Sequence, residues 1–262
     1  IESEGKHYLI ACCLKSGHEY KDDWSKPGKV YGAILPEDLS EFNEEHQLKL
    51  EVIKDDMLKN HGYYRIVRDG KTSSLVCCEN GVFRFYPPTA QKKEWTVEQL
   101  LATPASDAVL VDFDEDGKDE LLVLSPFHGD TVLIYREKDG RYELDYEWPE
   151  KMEFLHAIWS GEIQGQPVAV VGYRKGKRNL MKFFWKDGTY QADDFSFTGG
   201  TGKTKITCEN IIVRDGMLYA TIKFSSTKFI RLIVGGVEYQ STSNEGGSYF
   251  EIPVKVNTDM DI

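Results

Sequence analysis

The densest chemistry in the chain is a carboxylate run, Asp112-Phe-Asp114-Glu-Asp116-Gly117-Lys118-Asp-Glu120. Acidic residues at positions 1, 3 and 5, a glycine for a sharp turn, then a carbonyl and a ninth-position carboxylate make a compact cage of oxygens. Hard cations such as Ca²⁺ take six to eight oxygens, so the run is a candidate metal loop. It is not an EF-hand, because its twelfth position is Val123 and β-rich runs flank it. Without a metal the same residues make an acidic hairpin turn.

The histidines form a second set. His61 lies nine residues before Gly70, and His156 nine before Gly165. His18 and His128 fall in two further polar stretches, Lys15-Ser-Gly-His18-Glu-Tyr-Lys-Asp-Asp-Trp24 and Phe127-His128-Gly-Asp130. Neutral imidazoles with carboxylates can hold a transition metal. A histidine base with an arginine on a carbonyl could abstract a proton. With Tyr20, Tyr63, Trp24 and Trp159 nearby, the same groups suit a sugar, whose apolar faces stack on rings. The alternative for each histidine is local loop capping.

These residues must be positioned by a repeat. Segments starting at Ile1, Ile66, Phe113 and Glu162 share one register when aligned on Gly5, Gly70, Gly117 and Gly165, at intervals of 65, 47 and 48 residues. Each has polar or acidic residues before the glycine and a β-rich run after it. Cys12-Cys13 and Cys77-Cys78 both follow their glycine by seven and eight residues. The fourth unit reads as strands at 156–163, 167–173, 179–185 and 189–193 with tight turns between them. Four-stranded units about 40–50 residues apart signal a β-propeller. The first unit enters directly at its turn, so it is expected to lack a strand, with the chain either truncated or borrowing the missing strands from elsewhere. An irregular acidic insertion, Glu37 to Leu50, open to a helical reading, lengthens the first interval.

In a four-stranded antiparallel blade, the start of strand one and the end of strand two share an edge. That places His18, His61, His128 and His156 on one face, opposite the carboxylate turn. Asn60, Asp107, Asp130, Arg174 and Arg178 belong to the same face and complete the candidate ligand-binding set.

DxDxDGxxE between two β-strands, repeated with decay, resembles the FG-GAP or VCBS repeat of integrin-like propellers over about residues 1–194. The resemblance implies a calcium cofactor, with Asp112, Asp114, Asp116, Glu120 and the Lys118 carbonyl as ligands. Val67, Ser73 and Gln164 break the pattern in the second and fourth units. Some propellers of this type are lectins. Fungal aldos-2-ulose dehydratases are similar in repeat and histidine placement, but no motif carries a catalytic residue across.

Composition bounds the rest. With 262 residues, 40% hydrophobic and 29% charged, the chain is globular and large enough for one big domain or two ordinary ones. Its net charge of −11 argues against nucleic acid as a partner. No apolar run approaches the roughly 18–20 residues of a spanning helix, so no membrane insertion is expected. Adjacent cysteines on a strand point to opposite faces, so the five cysteines read as free thiols, with no CxxC zinc spacing.

Residues 195–262 carry seven basic and seven acidic residues, leaving the whole −11 in residues 1–194. Phe195 to Gly202, a run of small residues, reads as a linker. Beyond it, short strands with Asp215-Gly216 and Gly235-Gly236 turns read as a small β-sandwich. This stretch resembles an Ig-like or NEAT-like module of Firmicutes surface proteins. It carries no Tyr-x-x-x-Tyr pair, which argues against haem. The expectation is therefore an all-β chain, a propeller over 1–194 and a sandwich over 195–262 that the resemblance implies is truncated, located outside the cell or on its surface. Its function is either a calcium-stabilised module binding carbohydrate or a protein, or a sugar-converting lyase or dehydratase that uses the same histidines.

Overall fold

The computed structural model describes residues 1–17, 20–68, 70–194 and 204–255. Among them every regular element is a β-strand, and the chain divides into two compact units, Ile1–Ser196 and Phe197–Ile262. His18 and the stretch read as a linker, Phe195 to Gly202, lie outside the described residues.

The first unit holds four antiparallel sheets of four strands, each in chain order. The first sheet is β1 (Glu2–Ser3), β2 (Lys6–Cys13), β3 (Gly28–Leu35) and β4 (Glu51–Met57), and the second is β5 (Tyr63–Arg68), β6 (Lys71–Cys78), β7 (Gly81–Tyr86) and β8 (Thr96–Leu101). The third is β9 (Asp107–Val111), β10 (Glu120–Ser125), β11 (Thr131–Lys138) and β12 (Arg141–Glu147). The fourth is β13 (Leu155–Ile163), β14 (Gln166–Tyr173), β15 (Leu180–Lys186) and β16 (Thr189–Asp194).

Two expectations are corrected. A two-residue strand, β1, precedes the first turn, where none was expected; it pairs Glu2 with His7 and Ser3 with Lys6. The acidic insertion has no helix. Asp38 and Asn43 instead accept hydrogen bonds from the backbone N–H of Ser40 and of Glu45 and His46, closing local turns that compete with helical pairing.

Tight turns follow the sequence closely. Gln164 and Gly165 both have positive φ (54° and 79°), as a two-residue hairpin requires, and join Ile163 to its partner Gln166.

Packing follows from the period of two. In β10, Leu121 and Val123 enter a core with Leu75 and Cys77 of the second sheet, while Leu122 and Leu124 enter another with Ala169 and Val171 of the fourth. β6 behaves likewise: Leu75 and Cys77 face the third sheet, and Val76 and Cys78 pack with Val30 and Met57 of the first. Consecutive sheets thus stack face to face, which explains why β6 and β10 are apolar on both faces rather than alternating. Each fully buried leucine contributes about 2 kcal/mol of transfer free energy. All five cysteines are free thiols, and the Cys77-Cys78 pair is split between two cores.

The second unit has a three-stranded sheet, β17 (Ile206–Arg214), β18 (Met217–Phe224) and β21 (Ser248–Val254), and a hairpin of β19 (Arg231–Val234) and β20 (Val237–Gln240). Ala220, Ile222, Phe224, Phe250 and Ile252 of the sheet share a core with Leu232 and Val234 of the hairpin.

Candidate functional site

Three histidines from three consecutive sheets meet at one edge of the first unit. His61 precedes β5, His128 follows β10, and His156 lies in β13. One ring nitrogen from each lies within 4.8 Å of the other two. Local backbone features aim them. His61 N donates to Cys77 O, which extends the β5–β6 ladder to the histidine. His128 adopts φ 51° in the loop after β10. His156 is the bulged residue of β13: Leu155 pairs with Tyr173 and Ala157 with Gly172, so His156 has no partner opposite it. A bulge re-aims a side chain out of the strand's regular alternation.

The rings pack tightly. His128 stacks on Phe127 at 3.9 Å and on Phe154 at 4.5 Å between centroids, and its Nε2 lies 3.4 Å from His61 Nε2. His61 Nδ1 donates to the Ser106 carbonyl at 3.2 Å, so in the neutral ring its Nε2 carries a lone pair. His156 Nδ1 is buried without a partner, while its Nε2 lies 3.4 Å from Arg174 Nη1. Burial first, and then the neighbouring imidazoles and Arg174, push His128 down to about 4; burial, His61 and Arg174 also lower His156. Both rings are neutral at pH 7, the form that binds metals.

Around them stand rings and cations. Trp24 lies 5.3 Å from Phe127, Lys15 is over Trp24, Lys59 over Phe127, and Arg174 over Phe154. Lys59 pairs with Glu79, whereas Arg174 has no carboxylate partner among the described residues.

Other members of the expected set do not join the rings. The buried Asn60 donates through Nδ2 to the carbonyls of Cys13 and Lys29, both at 3.2 Å, and so ties the second sheet to the first. Its Nδ2 is spent on these two bonds, while its Oδ1 is buried without a partner. Asp130 accepts from Thr131 and faces Lys151 at 3.8 Å. Arg178 is exposed in the loop between β14 and β15, and its side chain makes no polar contact among the described residues. Asp107 starts β9 against Gly62, the residue after His61: a Cβ on Gly62 would lie 2.6 Å from its Oδ1. Burial pushes the Asp107 carboxyl up to about 7, against the opposing hydrogen bond from Ala108 N–H.

The carboxylate run forms the loop between β9 and β10. Asp112 accepts from the backbone N–H of Asp116 and Gly117, both at 3.0 Å, and Asp116 accepts from Lys118 N–H. Oxygens of Asp112, Asp114 and Asp116 lie within 4.8 Å of one another. Glu120 is fully buried; its Oε2 accepts from Phe113 N–H, and its Oε1 has no hydrogen-bond partner. Arg136 of β11 brings Nη1 to 2.8 Å from Asp114, 3.6 Å from Asp116 and 3.1 Å from that Oε1, the last contact within ion-pair distance but outside hydrogen-bond geometry. Burial pushes Glu120 up to about 7, opposed by Phe113 N–H and Arg136. A buried acceptor left without a donor, beside three convergent carboxylates, fits a hard cation.

Sequence reading missed Arg136, Ser106, Phe127 and Phe154. The two phenylalanines had a signal in their positions next to His128 and two before His156, but Arg136 and Ser106 reach their sites only through cross-strand and inter-sheet packing. No protein-family model matches the chain, and neither does any curated protein.

Proposed function

We propose that the first unit is an FG-GAP-like propeller assembly of four blades acting as a binding module, with carbohydrate as its ligand at the His61–His128–His156 edge. The observation that carries this reading is the convergence of one histidine from each of three consecutive sheets. Loop capping satisfies each histidine locally and gives no reason for three rings to meet. Trp24, Phe127 and Phe154 offer stacking surfaces, and Lys15, Lys59 and Arg174 offer donors for hydroxyl and acidic groups. In the loop between β9 and β10, Asp112, Asp114, Asp116, Glu120 and the Lys118 carbonyl would hold calcium as a structural ion, supplying charge neutralisation beside or in place of Arg136. The second unit, an Ig-like sandwich in this reading, serves as a spacer or docking module.

A glycan array on the intact chain tests the reading. Wild type should retain a defined set of glycans, and His61→Ala/His156→Ala should lose them while keeping its circular dichroism. Glycans retained equally by both would place the site elsewhere; binding only to proteins would change the partner class.

One observation favours a second reading, a sugar lyase or dehydratase. Asp107 lies against Gly62, the residue after His61, and burial pushes its carboxyl up to about 7, a value suited to general acid–base chemistry. Loss of water from a sugar, followed by mass spectrometry and abolished in Asp107→Asn, would establish it.

A further inference from the structure

We propose that His61, His128 and His156 form a three-imidazole centre for a divalent transition metal of zinc's class, with an open coordination position beside Arg174 for an anionic oxygen ligand. The proposal rests on reading this edge as the ligand site and says what anchors the ligand there.

The first argument is metric. Zinc–imidazole bonds of roughly 2.0–2.1 Å at tetrahedral angles separate two ligand nitrogens by about 3.3–3.4 Å. His61 Nε2 and His128 Nε2 are 3.4 Å apart. The one way to hydrogen-bond across that gap is for His128 to donate, because the His61 proton is already committed to Ser106 O; 3.4 Å is long for such a bond.

Outer contacts agree. The Ser106 carbonyl accepts the Nδ1 proton of His61 and so fixes the tautomer that leaves Nε2 free, as a metal-bound imidazole usually has its other nitrogen held. The buried Nδ1 of His156 has no partner; because Arg174 Nη1 can only donate to Nε2, ligation through Nδ1 requires Arg174 to leave Nε2 for the anion, so that the ring proton sits on Nε2 and Nδ1 offers its lone pair. Phe127 and Phe154 sheathe His128 on two sides, giving the apolar surroundings that strengthen metal–ligand attraction. A set of nitrogens without carboxylates suits zinc, copper, nickel or iron and not calcium, so this centre is chemically separate from the loop between β9 and β10.

Charge then selects the fourth ligand. Three neutral imidazoles leave the metal's full double charge in place, and Arg174 adds another positive group 3.4 Å from His156. Arg174 has no carboxylate partner among the described residues. Such a site calls for an anion, and a carboxylate or phosphate oxygen can contact both the metal and the guanidinium.

Cobalt(II) substitution tests both parts on the full chain after chelator treatment. Wild type should take up cobalt with the strong visible bands of a four-coordinate centre, lose them to zinc, and keep them in excess calcium. His128→Gln and His156→Gln are made as a pair so that a folding defect in one does not decide the outcome. Each should weaken cobalt binding by more than the roughly 10–100-fold that loss of an outer-shell partner costs, whereas Asp114→Asn should not change it. Acetate, galacturonate and inorganic phosphate are then added separately to distinguish carboxylate from phosphate ligands. At least one should shift the bands in wild type, and Arg174→Gln should keep the bands but lose the shift.

Absence of the bands from folded wild type overturns the metal centre. So do bands that survive both histidine changes and vanish in Asp114→Asn. Bands that no anion shifts overturn the ligand assignment. Glycan binding lost in His61→Ala/His156→Ala by a protein that never takes cobalt would keep the ligand site and remove the metal. Cobalt bound without any glycan would do the reverse.

Discussion

Arg136 is where charge is most concentrated. Its guanidinium faces Asp114, Asp116 and Glu120 on one side and Asp145 on the other. It therefore already does what a calcium ion would do, neutralising a cluster whose Glu120 is fully buried. Arg136→Ala should cost about 3 kcal/mol, because it strands a buried carboxylate. If the loop binds calcium, millimolar calcium should restore most of that stability and chelator should remove it again. A variant as stable as wild type in chelator would show that the guanidinium is not the internal counter-ion. The carboxylates themselves were legible in the sequence, since their spacing is local. Arg136 was not, because it approaches only when β11 pairs with β10, Tyr135 opposite Leu121. Asp107 makes a second test at this scale. Its folded pKa of about 7 lies above the unfolded value near 4, so the folded state binds the extra proton between those limits. Its contribution is fully present below pH 4 and is lost as pH rises towards 7. Asp107→Asn should match wild type near pH 4 and exceed it above pH 7, by on the order of 2 kcal/mol after allowing for its partial exposure. Equal pH profiles for the two proteins would mean that Asp107 ionises freely in the fold.

At the scale of elements, the hairpins were readable and the approaches between sheets were not. The 4–5, 139–140, 164–165 and 187–188 turns are signalled by glycine preceded by an acidic or amide residue, a chemistry complete within a few residues. The bulge at His156 has no such signal; the repeat placed that histidine at the start of its strand, but the aim of its ring is set by how β13 meets β14. The helical reading of 37–50 failed for a related reason: Asp and Asn side chains captured the backbone N–H groups a helix would need. Gly62 shows how closely two elements can approach. A Cβ there would lie 2.6 Å from Ser106 O and from Asp107 Oδ1 and 2.7 Å from Asp107 Cα. Two of those three are backbone atoms, so no side-chain rotation relieves the clash. Gly62→Ala should therefore destabilise by about 1–3 kcal/mol, and it should disturb the histidine edge, since His61 and Ser106 are the flanking residues. A variant of wild-type stability with unchanged ligand or metal binding would show that β5 and β9 have room to separate.

For the whole molecule, the decisive quantity is the −11 confined to residues 1–194. Two electrostatic effects oppose each other there. The ion pairs formed in this unit have contacts from 3.9 Å downwards, and they stabilise it. The excess of acidic groups repels over the whole surface and destabilises it. Salt separates the two by range. At 0.01 M the screening length is about 30 Å, so carboxylates tens of ångströms apart feel one another. At a few tenths molar it falls well below 10 Å, which removes the distant repulsion and leaves most of the close attraction. Exposed ion pairs contribute only about 0–1 kcal/mol each, so their partial screening is a small loss. Raising sodium chloride from 0.01 to 0.3 M at pH 8 should accordingly raise the melting temperature of the first unit by a few degrees, on the scale of about 1 kcal/mol. Near pH 5, close to the chain's isoelectric point of about 5.1, where the net charge is small, the same salt step should do much less. A melting temperature that falls with salt at pH 8 would mean that the paired clusters around Arg136 outweigh the net repulsion, and that the acidic surface is already locally neutralised.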